Sequence, residues 1–281
     1  MEFTSIAGEQ KYAALVRAAA EAVIGLDFDG TLSPIVDDPA QAHIHPDAGE
    51  VLLDLASQVA AIAVITGRPA RQALDLGGLE EVGNAIGDAG KELYLFGQYG
   101  NERWTSTNRR VIGPRPPTGL ASFERDLPRV LRRADAAEAH LEDKVLSVAI
   151  HTRRLPDPEA AFARLLPLVE ELAARHDLVV EPGRNVLEVR SAGIHKGMVV
   201  ERLTEELGAG AFLFAGDDLG DLEAFDAVSA LGKEGLPTLL VCSASDEENA
   251  LVARADVVVH GPAGVLDLLR QLTTDARSLR A

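Results

Sequence analysis

The stretch AVIGLDFDGT, residues 22–31, joins a continuous apolar run to two aspartates and a glycine turn. Such a run, bounded by a turn, is typical of a β-strand that is buried on both faces. Side chains alternate along a strand, so Asp27 and Asp29 lean to one face and Phe28 leans to the other. Two carboxylates in a small space repel each other unless a cation, or a division of labour between acid and base, relieves the conflict. The stretch therefore predicts chemistry at the end of a buried strand.

Three further apolar runs end in small or acidic residues: VAAIAVITGRP (59–69), AFLFAGDDLGD (211–221) and TLLVCSAS (238–245). Helix-forming segments lie between and beyond them, at 9–21, 46–58 and 264–272. Strands that alternate with helices predict an α/β fold with a doubly wound parallel sheet, and such sheets bind ligands at the carboxyl ends of their strands.

The middle of the chain has a different pattern. From about residue 106 a passage rich in proline and glycine is typical of a link between domains. It is followed by a predicted helix (122–143), a strand (144–152), a helix (159–176) and a hairpin (178–190) that turns between Pro182 and Asn185. We therefore predict a core domain formed by residues 1–106 and 191–281, with an α+β domain inserted at residues 107–190.

Composition narrows the possible partners. The formal net charge of −17 argues against nucleic acid, because binding a phosphate backbone requires clustered lysine and arginine. Cys242 is the only cysteine, so the 281 residues have no disulfide framework and no cysteine-based metal site. The first residues lack the pattern of a signal peptide, and no apolar run reaches the roughly 20 residues of a membrane span. We expect a cytoplasmic protein with no membrane partner.

Other polar groups fall at strand ends or helix starts. VITGR offers the Thr66 hydroxyl to an anion, beside Gly67. GIHKG offers Lys196 just ahead of a helix. FAGDDLGD places Asp217, and then Asp218 and Asp221, after a strand. Each motif alone also fits an ordinary turn, a surface charge or an acidic helix cap, whereas the set supplies a nucleophile, an acid/base, a fixed cation and a metal-binding loop.

This set, in this order, resembles the haloacid dehalogenase superfamily of phosphotransferases. The resemblance implies that Asp27 is the nucleophile and takes up the phosphoryl group, while Asp29 protonates the leaving alkoxide and then activates water. Thr66 and Lys196 would neutralise the phosphoryl oxygens.

The resemblance also implies a cofactor, Mg²⁺, which prefers oxygen ligands. It would be held by Asp27, by the backbone carbonyl of Asp29 and by Asp217, with Asp218 or Asp221 around these ligands.

The resemblance narrows to the trehalose 6-phosphate phosphatase family and covers about residues 20–272. The family's Glu-Asp-Lys motif is matched at residues 142–144, and its His-Tyr-Arg motif is matched at residues 151–153. The family also has a basic residue four positions before a glutamate, and Arg184 and Glu188 match this pair. The substrate-binding residues that this implies are Gly67, Arg68, Glu102, Glu142, Lys144, Arg153, Arg184 and Glu188. Singly, each cap residue also fits a solvated charge, and Arg184 with Glu188 also fits a cross-strand ion pair.

Four positions depart from the family pattern. Tyr99 stands where the family commonly has histidine, Thr152 stands for tyrosine, Gly220 for threonine and Leu222 for glutamate. These departures leave the principal catalytic groups in place. They fall at positions expected at the edge of the substrate site or around the acidic loop.

The resemblance implies a Mg²⁺-dependent phosphatase that hydrolyses trehalose 6-phosphate through an aspartyl phosphate, with the inserted domain closing as a cap. We expect it to be a monomer. Two alternatives stay open. One is a phosphatase of another sugar phosphate, such as sucrose 6-phosphate or a glycosyl glycerate phosphate. The other is a non-catalytic sugar-phosphate sensor, against which the two aspartates Asp27 and Asp29 argue, because binding alone would not require both.

Overall fold

A computed structural model describes residues 2–36, 38–183, 185–244 and 251–280. The chain divides into two compact units. Met1–Gly113 and His195–Ala281 form the first, called here the core unit, and Pro114–Ile194 form the second, called here the inserted unit. Within the described ranges, none of the helices is both long and apolar enough to cross a bilayer.

The strands of the described residues are β1 (Glu2–Phe3), β2 (Ala22–Leu26), β3 (Ala61–Ile65), β4 (Leu93–Gly97), β5 (Glu102–Thr105), β6 (His140–Asp143), β7 (Val148–His151), β8 (Leu178–Gly183), β9 (Val186–Ser191), β10 (Ala211–Gly216), β11 (Thr238–Ala244) and β12 (Val257–His260). The α-helices are α1 (Ile6–Arg17), α2 (Ala48–Ala56), α3 (Ala70–Gly77), α4 (Leu79–Asp88), α5 (Leu120–Arg133), α6 (Pro158–Ala174), α7 (Lys196–Leu207), α8 (Leu222–Lys233) and α9 (Gly261–Arg280). Short 3-10 helices include Gln98–Gly100 and Leu219–Asp221.

The core sheet, as far as the described residues show it, has the strand order β1-β12-β11-β10-β2-β3-β4-β5. Strands from β12 to β4 run parallel, and β1 and β5 pair antiparallel at the two edges. Along β3, Ile62 and Val64 join one apolar cluster with α1, α2 and α9, whereas Ala63 and Ile65 join a second cluster with α7 and α8. Both faces of the sheet are thus covered by helices, and the predicted doubly wound α/β fold is confirmed.

The chain order explains where a site forms. From β2 the chain moves outward through β3 and β4, and later returns to pair β10 with the other side of β2. The strand order therefore reverses between β2 and β10, and doubly wound sheets bind ligands at such a point, beyond the carboxyl ends of the strands. Asp27 follows β2 and Asp217 follows β10.

The inserted unit is an antiparallel sheet of strand order β6-β7-β9-β8. One face packs on α5 and α6 through buried side chains such as Phe123, Leu165, Ile150 and Val189. Alternation along the strands places charged side chains on the other face, among them Glu142 and Glu188. The predicted hairpin is confirmed as β8 and β9.

The prediction of a helix over residues 122–143 was wrong about where the helix ends. Helix α5 stops at Arg133, Asp135 has a left-handed φ of 53°, and His140–Asp143 form strand β6. A left-handed residue cannot continue a right-handed helix. The alanine- and glutamate-rich sequence favours a helix locally, but pairing of β6 with β7 decides the structure.

Candidate active site

The centre of the site is the end of strand β2. Its partner β10 runs parallel beside it, and the Asp27 backbone N–H donates to the Ala215 carbonyl at 2.9 Å. Asp27 and Asp217 are both 4% exposed. The parallel pairing therefore brings two aspartates that are far apart in sequence to one edge of the sheet, where both are removed from water.

Lys196 links the aspartates by a buried ion pair. Its Nζ lies 2.5 Å from Asp27 Oδ1 and 2.7 Å from Asp221 Oδ1, and all three side chains are buried. Burial lowers the pKa of Lys196, but the Asp221 and Asp27 carboxylates outweigh it and raise the pKa well above its usual value. Lys196 is therefore the fixed cation that the sequence predicted. Its ammonium group contacts the carboxylate of Asp27, the predicted nucleophile.

Asp27, Asp217 and Asp221 form an acidic cluster in which one carboxylate oxygen from each residue lies within 4.8 Å of the others. Burial and, to a smaller extent, the carboxylates of Asp27, Asp218 and Asp221 raise the pKa of Asp217 to about 10. Burial likewise raises the pKa of Asp27 well above its usual value, although Lys196 opposes the shift. One ammonium cannot balance three buried carboxylates, so this donor set fits a hard divalent cation such as Mg²⁺.

The acidic loop holds Asp221 more firmly than the sequence suggested. Its Oδ2 accepts the Asp217 N–H at 3.0 Å, while Oδ1 accepts from Lys196. Asp218, which we predicted as a metal residue, is exposed, and its side chain accepts the Gly220 N–H at the start of the 3-10 helix. In this structure Asp221 therefore joins the cluster and Asp218 caps the helix.

Asp29 pairs with Arg68, whereas Asp27 pairs with Lys196. Arg68 donates to both carboxylate oxygens of Asp29, from Nε and Nη2, at 2.7 Å each, and its Nη1 donates to the Pro39 carbonyl at 2.8 Å. The guanidinium also lies over the Phe28 ring, 5.5 Å from its centroid. We predicted that Arg68 binds substrate, and the structure places it as a two-pronged clamp on the predicted general acid.

Thr66 is buried at the end of β3, and its hydroxyl accepts the Arg68 backbone N–H at 3.1 Å. A hydroxyl that accepts one bond still has a proton to donate, which suits an anion. Gly67 lies against the ring of Tyr99, because a Cβ on Gly67 would approach Tyr99 Cζ to 2.8 Å. Glu102 caps α3, where its carboxylate accepts the Ala70 N–H at 2.6 Å.

Glu142 and Glu188, two of the predicted sugar contacts, lie on the face of the inserted sheet that does not pack on α5 and α6, called here the open face, and Lys144 lies beside them. Lys144 Nζ and Ser147 Oγ donate to the two oxygens of Glu188, at 2.8 and 2.7 Å. Glu142 pairs with His151 Nε2 at 2.9 Å. Arg153 is exposed in the loop after β7. Arg184 lies outside the described residues, so the proposed pair of Arg184 with Glu188 stays a prediction.

The fold and the site together define a haloacid dehalogenase-like hydrolase. A solved trehalose-6-phosphate phosphatase C-terminal domain from Candida albicans superposes with a TM-score of 0.75 at 21% identity, over 97% of this chain and 98% of that one. Residues 25–257 match the model of the trehalose-phosphatase family, and the chain belongs to this family.

Two curated relatives align with about three quarters of the chain. A trehalose-phosphate phosphatase of Mycolicibacterium paratuberculosis is 31% identical over 76% of this chain and 53% of its own length. An uncharacterized glycosyl hydrolase of Mycobacterium tuberculosis is 34% identical over 74% of this chain, which corresponds to 15% of that much longer protein. The chain thus spans about half of the phosphatase relative and a small part of the hydrolase.

Proposed function

We propose that this chain hydrolyses trehalose 6-phosphate to trehalose and phosphate through an aspartyl phosphate on Asp27. The observation that carries the proposal is the buried ion pair of Asp27 with Lys196 beside Asp217 and Asp221. A solvated surface cluster would not bury a carboxylate with so many like charges around it, and strongly perturbed groups of this kind concentrate at functional sites. Family membership supplies the reaction class.

In the first step a carboxylate oxygen of Asp27 attacks phosphorus, the ester P–O bond breaks, and Asp29 gives its proton to the leaving sugar oxygen. In the second step Asp29 takes a proton from water, the water oxygen attacks phosphorus, and the bond to Asp27 breaks to release phosphate. Lys196 and Thr66 hold the phosphoryl oxygens, and Arg68 holds Asp29 in place between the two steps.

Asp27, Asp217 and Asp221 would hold Mg²⁺, with the Asp29 carbonyl as a further ligand. When bound, the ion supplies positive charge that offsets the carboxylates and the phosphoryl oxygens.

The open face of the inserted sheet supports the disaccharide as substrate. Glu142, Lys144 and Glu188 offer both acceptors and donors, which suits recognition of sugar hydroxyls; Glu142 is partly exposed, whereas the Lys144–Glu188 pair is largely buried. The departures at Thr152, Gly220 and Leu222 favour testing other sugar phosphates beside it. A cytoplasmic location and a monomeric state stay predictions.

The test is phosphate release from trehalose 6-phosphate, sucrose 6-phosphate and glucose 6-phosphate, with Mg²⁺ and with excess chelator. We expect chelator-sensitive release with a kcat/KM for the trehalose ester at least about 100-fold above the others. Preference for another ester would refute the substrate but keep the reaction class, and binding of sugar phosphates without release would identify a sensor.

A further inference from the structure

The backbone of Gln98–Gly100, called here the tyrosine turn, is left-handed at three consecutive residues. The φ angles are 47° at Gln98, 61° at Tyr99 and 111° at Gly100. Non-glycine residues rarely adopt such angles, and they persist only where the surroundings hold them. Two hydrogen bonds do so here: Gln98 N–H donates to the Arg68 carbonyl at 2.8 Å, and Tyr99 N–H donates to the Thr66 carbonyl at 2.9 Å.

The left-handed backbone directs the Tyr99 ring between the turn that carries Thr66 and the loop that carries Asp217 and Asp221. The three atoms nearest to a Cβ built on Gly67 all belong to Tyr99, with Cζ at 2.8 Å and Oη at 2.9 Å. A Cβ built on Gly220 would lie 3.9 Å from Tyr99 Cε1, which is an ordinary van der Waals contact. The ring therefore lies against the turn that carries Thr66 and has one edge close to Gly220, in the loop that carries Asp217 and Asp221.

The tyrosine turn also contacts the helix that begins at Lys196. A Cβ on Gly100 would lie only 2.5 Å from Val199 Cγ2, so the backbone of the turn packs closely on α7. The same short segment thus touches the elements that position the predicted phosphate hydroxyl, the fixed cation and the acidic cluster.

We infer that Tyr99 is a positioning residue, whose ring sets the spacing between the Thr66 turn and the Asp217–Asp221 loop. The inference rests on the proposed function, since the two loops would bind the phosphoryl group and Mg²⁺ respectively. Removing the ring lets the loops relax toward each other, and a displacement of about 1 Å at a catalytic group costs about 100-fold in rate. The role depends on the ring, whose Cζ and Cε1 atoms lie next to Gly67, so the variant Tyr99→Phe keeps it.

The chain offers matched controls. Tyr12 and Tyr94 are the other two tyrosines. Tyr12 lies on α1, where its ring packs near Phe3 and its hydroxyl donates to Asp275 at 2.7 Å. Tyr12→Ala therefore removes a packed ring whose partners named above, Phe3 and Asp275, belong neither to the Thr66 turn nor to the Asp217–Asp221 loop. It reports what loss of packing alone does to the protein.

The experiment compares wild type, Tyr99→Ala, Tyr99→Phe and Tyr12→Ala below their unfolding transitions. We expect Tyr99→Ala to lower kcat about 100-fold and to weaken Mg²⁺ binding, measured by calorimetry, about 10-fold or more. Tyr99→Phe stays within about threefold of wild type in both quantities, and Tyr12→Ala keeps the wild-type kcat. A Tyr99→Ala protein that matches Tyr12→Ala in kcat and Mg²⁺ affinity overturns the inference.

A double-mutant cycle with Gly67→Ala makes the test specific. In the wild-type background the new methyl group displaces the Tyr99 ring and lowers kcat about 10-fold or more, whereas in the Tyr99→Ala background it meets no ring and costs little. Additive effects overturn the inference. If wild type releases no phosphate from any ester, the proposed function fails, and the Mg²⁺ affinities of the same variants still decide the role of Tyr99.

Discussion

The acidic cluster of the core unit and the open face of the inserted sheet both carry charged residues, but their side chains differ in burial and in how they are paired. Asp27, Asp221 and Lys196 are almost fully buried, and their charges depend on one another. Glu142 and His151 keep about a third and a quarter of their side-chain area exposed. A buried, interdependent cluster suits one reaction, whereas the partly solvated Glu142–His151 pair can exchange partners with a ligand; the Lys144–Glu188 pair on the same face is largely buried. We therefore propose that the first region carries the chemistry and that the second selects the alcohol.

The largest effect is expected at Asp27. Asp27→Asn removes the nucleophilic oxygen while preserving shape, so kcat should fall by about 10⁴-fold or more. The neutral side chain also relieves crowding of carboxylates, so the unfolding midpoint should not fall. Stopped phosphate-release assays and thermal unfolding measure the two quantities. Asp54→Asn, at an exposed position on α2, is the control. If Asp27→Asn keeps an activity within tenfold of wild type, Asp27 is not the nucleophile.

A second, smaller effect is expected at Arg68. Arg68→Met keeps the packing over Phe28 but releases Asp29 from its two-pronged clamp, so kcat should fall about 100-fold while KM changes little. Steady-state kinetics separate the two parameters. The exposed Arg71, which pairs with Glu80, gives the control Arg71→Met. A rise in KM with unchanged kcat would instead favour the substrate contact that the sequence predicted for Arg68.

Mg²⁺ should stabilise the core unit, because it neutralises buried carboxylates that one lysine cannot balance. At a Mg²⁺ concentration 100 times its dissociation constant, the free energy of unfolding should rise by about 2.7 kcal/mol. Denaturant titrations with and without chelator measure this gain. Asp217→Asn should remove most of it, and the exposed control Asp226→Asn should keep it. An equal gain in both variants would move the metal site elsewhere.

The smallest effect is expected on the open face. Glu188→Gln weakens the pairing with Lys144 and Ser147 and should lower kcat/KM for trehalose 6-phosphate about 10-fold. The ratio of this value to that for p-nitrophenyl phosphate, which has no sugar, should fall by a similar factor. Glu171→Gln, on α6 at the opposite face of the sheet, is the control. An unchanged ratio would mean that the open face does not select the sugar.

The sequence predicted the site best where function and local pattern coincide. The strands before Asp27, Thr66 and Asp217 were visible as apolar runs, and parallel strands place their carboxyl ends at one edge. Lys196 was predicted because a lysine at a helix start completed a known set of groups. These features depend on residues that are close in sequence and on a regular topology.

Contacts between distant residues were harder to predict. The clamp of Arg68 on Asp29 joins positions 39 residues apart, and Glu102 reaches the α3 N-terminus at Ala70. The exchange of Asp218 for Asp221 in the cluster depends on which carboxylate turns inward when the loop forms its 3-10 helix. The left-handed Tyr99 has no sequence signal of its own, because glycine follows it rather than occupying its position.

The most direct test of the central claim is to locate the phosphoryl group on the protein. Wild type and Asp29→Asn are mixed with trehalose 6-phosphate and Mg²⁺, quenched in acid, digested and analysed by mass spectrometry. The account predicts a phosphoryl group on Asp27, more abundant in Asp29→Asn because that variant lacks the base that activates water. Phosphate release without a modified Asp27, or with the phosphoryl group on another residue, would contradict it.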